Sequence, residues 1–296
     1  MRNVLLALCA IGIWTGVHSA SPAMASGVTA KPTRCALDQI ATLPARSSKS
    51  RPGSGFVQDV RNLSGAARDA AVTEQVLSGN VPEFLRKLVP VTLSGTRPEG
   101  QRIDVEICVT PDYLAVGDNS DFVRVPVGLP AAAGIAADLG FMLPTTKMVD
   151  AIYAQADLRL PPAPMPPTAQ MASTDYFWRH HATVEEQRGR AGQVATALTA
   201  GQKKDIVLSN RLRTKVGRVA IYGWHRLNGK PIQPLSTVHG AYYADYSHGV
   251  RLVSGTAFVN GTPYPLAEIL EDPQLSQILS NEGPIPNSTG LLVSFR

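Results

Sequence analysis

Val89-Pro-Val-Thr-Leu93 and Ile103-Asp-Val-Glu-Ile-Cys-Val109 are the stretches that decide the fold class of this chain. Both are short runs rich in β-branched residues, a composition typical of strands. Two similar runs, at 113–116 and 122–127, follow after Gly, Pro, Asn and Asp residues. We expect these four runs to form a small antiparallel sheet or meander.

Helical segments surround this region on both sides. Apolar and alanine residues recur at helical spacing, and prolines or Ser173 and Thr174 mark several starts. The segments with this spacing are 64–77, 82–88, 131–139, 145–156 and 174–188. Together with the strands they predict an α+β fold with a mixed or antiparallel sheet.

The last third of the chain returns to strands. Further strands are expected at 206–208, 219–224, 252–253 and 256–259, with a tight turn at Asn260-Gly261. Short helices are expected at 266–270 and 273–279. The apolar run 291–295 predicts a final strand.

Domain organisation is read from composition. Residues 1–25 have the charged, apolar and small-residue regions of a secretory signal, and we expect cleavage after Ala25. Residues 26–55 predict a weakly ordered leader, and 56–296 a single compact α+β domain. Five prolines in 160–167 predict an extended connector across the surface, with a true domain linker as the alternative.

Charge and hydropathy exclude several classes of function. The 28 basic and 23 acidic residues give a net charge of only +5, with no aromatic-studded basic stripe of the nucleic-acid-binding kind. No later run is long enough for a membrane span. We therefore expect a periplasmic or extracellular protein with no nucleic-acid partner and no membrane span.

Cys35 and Cys108 are the two cysteines that remain after the predicted signal is removed. An even pair in an exported protein predicts a structural disulfide. The alternative, a catalytic thiol, requires an activating base, and neither cysteine has a histidine near it in sequence.

His239, Asp245, Ser247 and His248 are concentrated in the segment Val238-His-Gly-Ala-Tyr-Tyr-Ala-Asp-Tyr-Ser-His-Gly249. In a strand, His239 and Asp245 would share a face and His248 would lie opposite, unless the segment turns. An imidazole held by a carboxylate beside a hydroxyl is the general-base arrangement of many hydrolases. The alternative is a turn that packs and hydrogen-bonds without chemistry.

A second group of candidates flanks this segment. His225 and Trp224 end the strand-like run Ile221-Tyr-Gly-Trp-His225, where Trp224 offers a stacking face for a substrate. Tyr242 and Tyr243 are further substrate-binding candidates. Lys204 precedes the strand at 206–208 and is a candidate base or oxyanion donor; a solvated lysine pair and a Trp that caps the core are the structural alternatives.

His180 and His181 lie one helical turn before Glu185 and Glu186, a spacing that lets two ligands face one way. The chain has no match to the zinc-protease helix motif, so a solvated, charged helix face is the simpler interpretation. The metal and cofactor content stays unknown at this stage.

Three functions fit these residues. The preferred hypothesis is a secreted hydrolase that acts on a cell-envelope or environmental polymer, with His239 or His248 as base and Ser247 or water as nucleophile. Its rival is a non-catalytic periplasmic or extracellular binding protein, whose aromatic and histidine cleft holds a polymer or small-molecule ligand. A zinc-dependent hydrolase is the third.

Overall fold

A five-stranded sheet and a four-stranded mixed sheet dominate the computed structural model, which describes residues 1, 34–36, 43–97, 99–192 and 196–293. The strands are β1 (Val89–Thr96), β2 (Arg102–Val109), β3 (Ala115–Gly117), β4 (Phe122–Arg124), β5 (Phe141–Met142), β6 (Leu158–Arg159), β7 (Thr199–Ala200), β8 (Lys204–Ile206), β9 (Ile221–His225), β10 (Pro231–Ser236), β11 (His248–Gly249), β12 (Val253–Val259) and β13 (Thr262–Pro265).

Helices occupy most of the segments that show helical spacing. They are α1 (Gly53–Asp59), α2 (Gly65–Leu77), α3 (Leu129–Asp138), α4 (Thr146–Gln155), α5 (Thr174–Arg190), α6 (Arg211–Thr214), α7 (Leu266–Glu271), α8 (Ser276–Leu279) and α9 (Ser288–Val293), with single 3-10 turns at Arg34–Ala36 and Glu83–Arg86. Side-chain caps explain two of the starts: Thr145 accepts the Met148 N–H before α4, and Ser173 accepts the Tyr176 N–H before α5.

The five-stranded sheet has the order β1-β2-β12-β13, with β5 paired to β12. β1 and β2 form the predicted antiparallel hairpin, in which Val91 lies opposite Ile107. The predicted four-run meander is wrong beyond this hairpin, because β3 pairs with β4 in a separate two-stranded sheet. The chain that returns as β12 takes the other edge of β2, a pairing between distant segments that local runs do not encode.

The four-stranded sheet has the order β10-β9-β8-β11 and is mixed. β8 is antiparallel to β9 but parallel to β11, and the parallel register sets His248 opposite Lys204. This sheet carries most of the candidate residues.

The core confirms the predicted fold class: the described residues from 34 to 293 form one compact α+β unit. The proline-rich connector packs onto this unit, since the Met165 N–H donates to the Tyr246 hydroxyl oxygen at 2.8 Å. Upstream of Phe56, where the sequence places the start of the domain, Leu43 is already buried and Arg46 donates to the Gly117 carbonyl. Residues 2–25 of the predicted signal and residues 26–33 and 37–42 of the predicted leader lie outside the described residues.

The chain terminus corrects one prediction. Residues 288–293 form α9, whereas the sequence predicts a strand at 291–295, of which 294–296 lie outside the described residues. The Asn287 side-chain oxygen accepts the Gly290 N–H at 3.1 Å, a turn-forming bond that starts a helix and overrides the short apolar run.

The predicted disulfide is confirmed. Cys35 and Cys108 are joined at an S–S distance of 2.07 Å, and both are fully buried. The bridge ties the 3-10 turn at 34–36 to β2. Among the described residues, no helix combines the length and apolar character needed to cross a membrane.

Candidate functional site

The segment between β10 and β11 folds as turns, not as a strand, and ends in β11. The strand-face argument for His239 and Asp245 therefore does not apply, and the turns bring His248 toward them instead. Parallel pairing of β11 with β8 adds a lysine to the group. We call the six residues that meet here the His/Asp cluster: Lys204, His239, Tyr243, Asp245, Ser247 and His248.

Asp245 is the acceptor at the centre of the cluster. Its Oδ1 receives the Ser247 N–H at 2.8 Å and the Ser247 hydroxyl at 2.5 Å, and its Oδ2 receives the Tyr243 hydroxyl at 3.1 Å. The His248 Nε2 lies 4.0 Å from Oδ2. The Ser247 hydroxyl, only 1% exposed, is thus directed at the carboxylate and not at an imidazole.

The two imidazoles of the cluster differ in access to solvent. His248 is fully buried, whereas His239 is half-buried and stacks on the Tyr243 ring at a centroid distance of 4.3 Å and an interplanar angle of 16°. The His239 and His248 ring centroids are 6.2 Å apart. Of these two imidazoles, only His239 is accessible to solvent.

Burial sets the protonation states of the cluster. Desolvation lowers the pKa of His239, and Lys204 reinforces this against the opposing charge of Asp245. Desolvation also lowers the pKa of the buried His248, with Asp245 again opposing the shift. For Asp245, burial alone would raise the pKa, but His248, the Ser247 hydrogen bonds and Lys204 together lower it. Neutral imidazoles beside an ionised carboxylate follow at neutral pH.

Lys203 lies next to the cluster and was missed by the sequence analysis, which favoured Lys204. Its side chain is 1% exposed, and its Nζ donates to the Tyr246 carbonyl at 2.5 Å. Burial lowers the pKa of Lys203 to about 7, with Arg124 acting in the same direction. The sequence did contain a signal for Lys203. It directly precedes Lys204, the first residue of β8, and adjacent residues along a strand face opposite sides, so one of the two lysines was expected to point inward.

A buried ion network adjoins Lys203. Arg124 and Asp112 are each 1% exposed and pair at 2.5 Å, and Gln202 Nε2 donates to Asp112 at 3.0 Å. Burial alone would raise the pKa of Asp112, but Arg124 outweighs it and the pKa falls to about 2. In the sequence, the position of Arg124 between Val123 and Val125 was the signal for a buried ion pair.

His180 and His181 correct the expectation of a solvated helix face. They are 0% and 5% exposed, so this face of α5 is buried. The His180 ring packs 5.0 Å from the Tyr246 ring, and Glu185 pairs with Arg124 at 2.7 Å. Of the two predicted acids, Glu185 thus contacts the buried ion network, whereas Glu186 is 63% exposed and pairs with Arg190 at the surface.

Trp224 is a buried side chain at the edge of the cluster. It is 6% exposed, and the Lys204 Nζ lies 5.1 Å from its ring centroid. The expected stacking face is therefore covered by a cluster residue. Trp224 also adopts a left-handed backbone conformation, with φ of 56°, directly after Gly223.

His225 and Tyr242 lie apart from the cluster. The His225 Nε2 is 2.9 Å from Asp150 Oδ1 on α4, a partner that the sequence did not indicate. Tyr242 is 64% exposed and lines a groove with Pro130 and Leu212. The two adjacent tyrosines thus point to different places, and only Tyr243 joins the cluster.

The described part of the chain contains no group of three or more His, Cys, Asp or Glu residues placed to hold a metal ion. This observation gives the zinc hypothesis no support from the described residues.

No protein-family model, curated protein or solved structure matches this chain. Its function is therefore inferred from the contacts of the His/Asp cluster.

Proposed function

We propose that the protein is a secreted hydrolase acting on a polymer of the cell envelope or the environment, with His239 as general base. One observation supports this most: the half-buried His239 stacks on Tyr243, whose hydroxyl donates to the buried Asp245. The charge of Asp245 acts to raise the pKa of His239, so this carboxylate stabilises the imidazole when it takes up a proton. The Cys35–Cys108 disulfide supports export, because disulfides persist in oxidising compartments.

Water is the nucleophile in this proposal. The Ser247 hydroxyl is buried and bound to Asp245, which leaves solvent at His239 as the attacking group. Neutral His239 accepts a proton from water as the water oxygen attacks the electrophilic atom of the scissile bond. The imidazolium then gives this proton to the leaving group, while the Lys204 ammonium stabilises the negative charge that develops on oxygen.

The test is release of new chain ends from purified peptidoglycan and from neutral and acidic polysaccharides. We expect His239→Ala to lower kcat/KM by about 10²- to 10⁴-fold, the usual contribution of a general base. Val238→Ala is the matched control, because this neighbouring side chain is 69% exposed and belongs to no part of the cluster. Activity that is equal in the two variants would contradict the role of His239.

The pH profile gives a second readout. Burial lowers the pKa of His239 from its ordinary value of 6.5. The imidazole therefore stays neutral to a lower pH than a free histidine does. We therefore expect kcat/KM to fall only as the pH drops below that value, and His239→Ala to abolish this acid limb. An acid limb that persists unchanged in His239→Ala would assign it to another group.

A further inference from the structure

A second cleft lies between α4, β6, β9 and the turn that follows β9, and it shares no lining residue with the His/Asp cluster. Its volume is about 490 Å³. The polar and aromatic residues that line it are Asp150, Tyr153, Arg159, Tyr222, His225 and Asn228.

Asp150 is held in place by two neighbours on β9. Its Oδ1 accepts the Tyr222 hydroxyl hydrogen at 2.9 Å and lies 2.9 Å from the His225 Nε2. The side chain is still 44% exposed, and no described residue donates a hydrogen bond to its Oδ2. One carboxylate oxygen is thus fixed by the protein, and the other is available to a ligand.

Arg159 is fixed on its own side of the cleft. Its Nε donates to the Tyr153 carbonyl at 3.0 Å, and its guanidinium carbon lies 5.6 Å from the Tyr153 ring centroid. The Tyr153 ring in turn stacks on His225 at 4.6 Å, and its hydroxyl donates to the Arg226 carbonyl at 2.7 Å. The aromatic groups and the cation therefore form one rigid wall.

The chemistry of the lining indicates the ligand. One fixed carboxylate and one fixed guanidinium balance in charge, so the cleft does not favour a strongly charged ligand. Asp150 is half-exposed, Arg159 is exposed, and the half-buried Tyr222 ring lies beside Asp150. A carboxylate, a guanidinium and one accessible aromatic ring match a ligand ring that carries hydroxyls on its edge and C–H groups on its face. Exposed residues at the rim, such as Arg159 and Asn228, leave the cleft open to one unit of a longer chain.

We propose that this cleft binds a sugar unit of a neutral polysaccharide, with Asp150 Oδ2 accepting hydrogen bonds from vicinal hydroxyls. This inference goes beyond the hydrolase proposal and does not depend on it, because binding is measurable in the His239→Ala variant. A sugar chain bound here is held by residues distinct from those that act on it.

The test is titration calorimetry of full-length His239→Ala protein with chitotetraose and cellotetraose, and with tetralysine as a cationic comparator. We expect at least one tetrasaccharide to bind with a Kd of about 1 mM or tighter, and tetralysine not to bind. Adding Asp150→Asn is expected to weaken binding about tenfold or more, because hydrogen bonds to a charged acceptor are strong. Tyr222→Phe, which removes one of the bonds that fix Asp150, is expected to weaken it less.

Asp175→Asn is the control, because this carboxylate of α5 is half-exposed, pairs with Arg61 and does not line the cleft. Thermal unfolding of each variant shows whether a loss of binding reflects a loss of folding. Absence of saccharide binding, equal affinity in Asp150→Asn, or binding of tetralysine alone would overturn the proposal. None of these outcomes bears on hydrolysis at His239.

Discussion

Gly249 follows His248 in β11 and has no room for a side chain. A Cβ at this position would lie 2.5 Å from Cδ1 of the Tyr113 ring and 2.8 Å from its Cγ. The ring cannot easily move, because Tyr113 is 2% exposed and its hydroxyl donates to Asp205 at 2.9 Å. We expect Gly249→Ala to lower the free energy of unfolding by about 2 kcal/mol, the usual cost of overpacking.

Urea unfolding measures this change, and Gly189→Ala is the matched control. Gly189 lies near the end of α5, and among the described residues beyond its own helix backbone and chain neighbours no atom lies within 4 Å of an added Cβ. Alanine is the better helix former, so the control is expected to gain about 0.5–1 kcal/mol. Equal effects at the two glycines would show that contact with Tyr113 does not restrict β11.

At the scale of elements, local sequence patterns predicted the positions of helices and turns better than the partners of strands. The spacing of apolar residues and the caps placed α2, α4 and α5 to within two residues, and Asn260-Gly261 gave the β12–β13 turn, where both residues adopt positive φ. Pairing between distant strands was not predictable, because the second edge of β2 is filled by a segment about 150 residues later in the chain.

The same limit applies to the candidate residues. Residues close in sequence, such as His239, Asp245 and His248, were proposed as a group, and the turns bring them together. Asp150 was not proposed, since its contact with His225 joins α4 to β9 across 75 positions. Lys203 is a different case, because it and Lys204 are identical neighbours in the sequence, whereas in the fold Lys203 is fully buried and Lys204 only half-buried.

The disulfide is an element-scale constraint, because it joins the 34–36 turn to β2 across a sequence separation of 73 residues. Closing a loop of this length is expected to contribute about 4 kcal/mol in the chain-entropy model. We expect the double variant Cys35→Ala, Cys108→Ala to lose about that much in urea unfolding. Dithiothreitol is expected to destabilise the wild type and to leave the double variant unchanged; a wild type insensitive to complete reduction would contradict this.

At the scale of the whole molecule, the interior holds an unusual number of ionisable groups. Histidines from α5 and β11 and the Asp112–Arg124 pair are almost completely inaccessible to solvent. Buried charge is tolerated here because it is paired, whereas the buried imidazoles must be neutral. The stability of the fold is thus linked to pH through groups that titrate near neutrality in the unfolded chain.

This linkage predicts that acid weakens the fold between pH 7 and pH 5. Burial lowers the pKa values of His180, His181 and His248, so in this range the unfolded chain binds three protons that the native protein does not. Asp205 opposes the trend, because burial raises its pKa to about 6 and the native state then takes up one proton. The net result is a loss of unfolding free energy, because the effect of three imidazoles exceeds that of one carboxyl.

Urea unfolding at pH 7, 6 and 5 checks this expectation. His180→Gln replaces one of the three imidazoles and so removes one of the protons that only the unfolded chain binds. The slope of unfolding free energy against pH is therefore expected to fall by about a third or more. A variant whose native state has loosened is recognised by its m-value, the slope of unfolding free energy against urea concentration. In such a variant the m-value changes together with the urea midpoint. Stability that is constant from pH 7 to pH 5 would mean that the imidazoles are protonated within the native fold, and so that water reaches them.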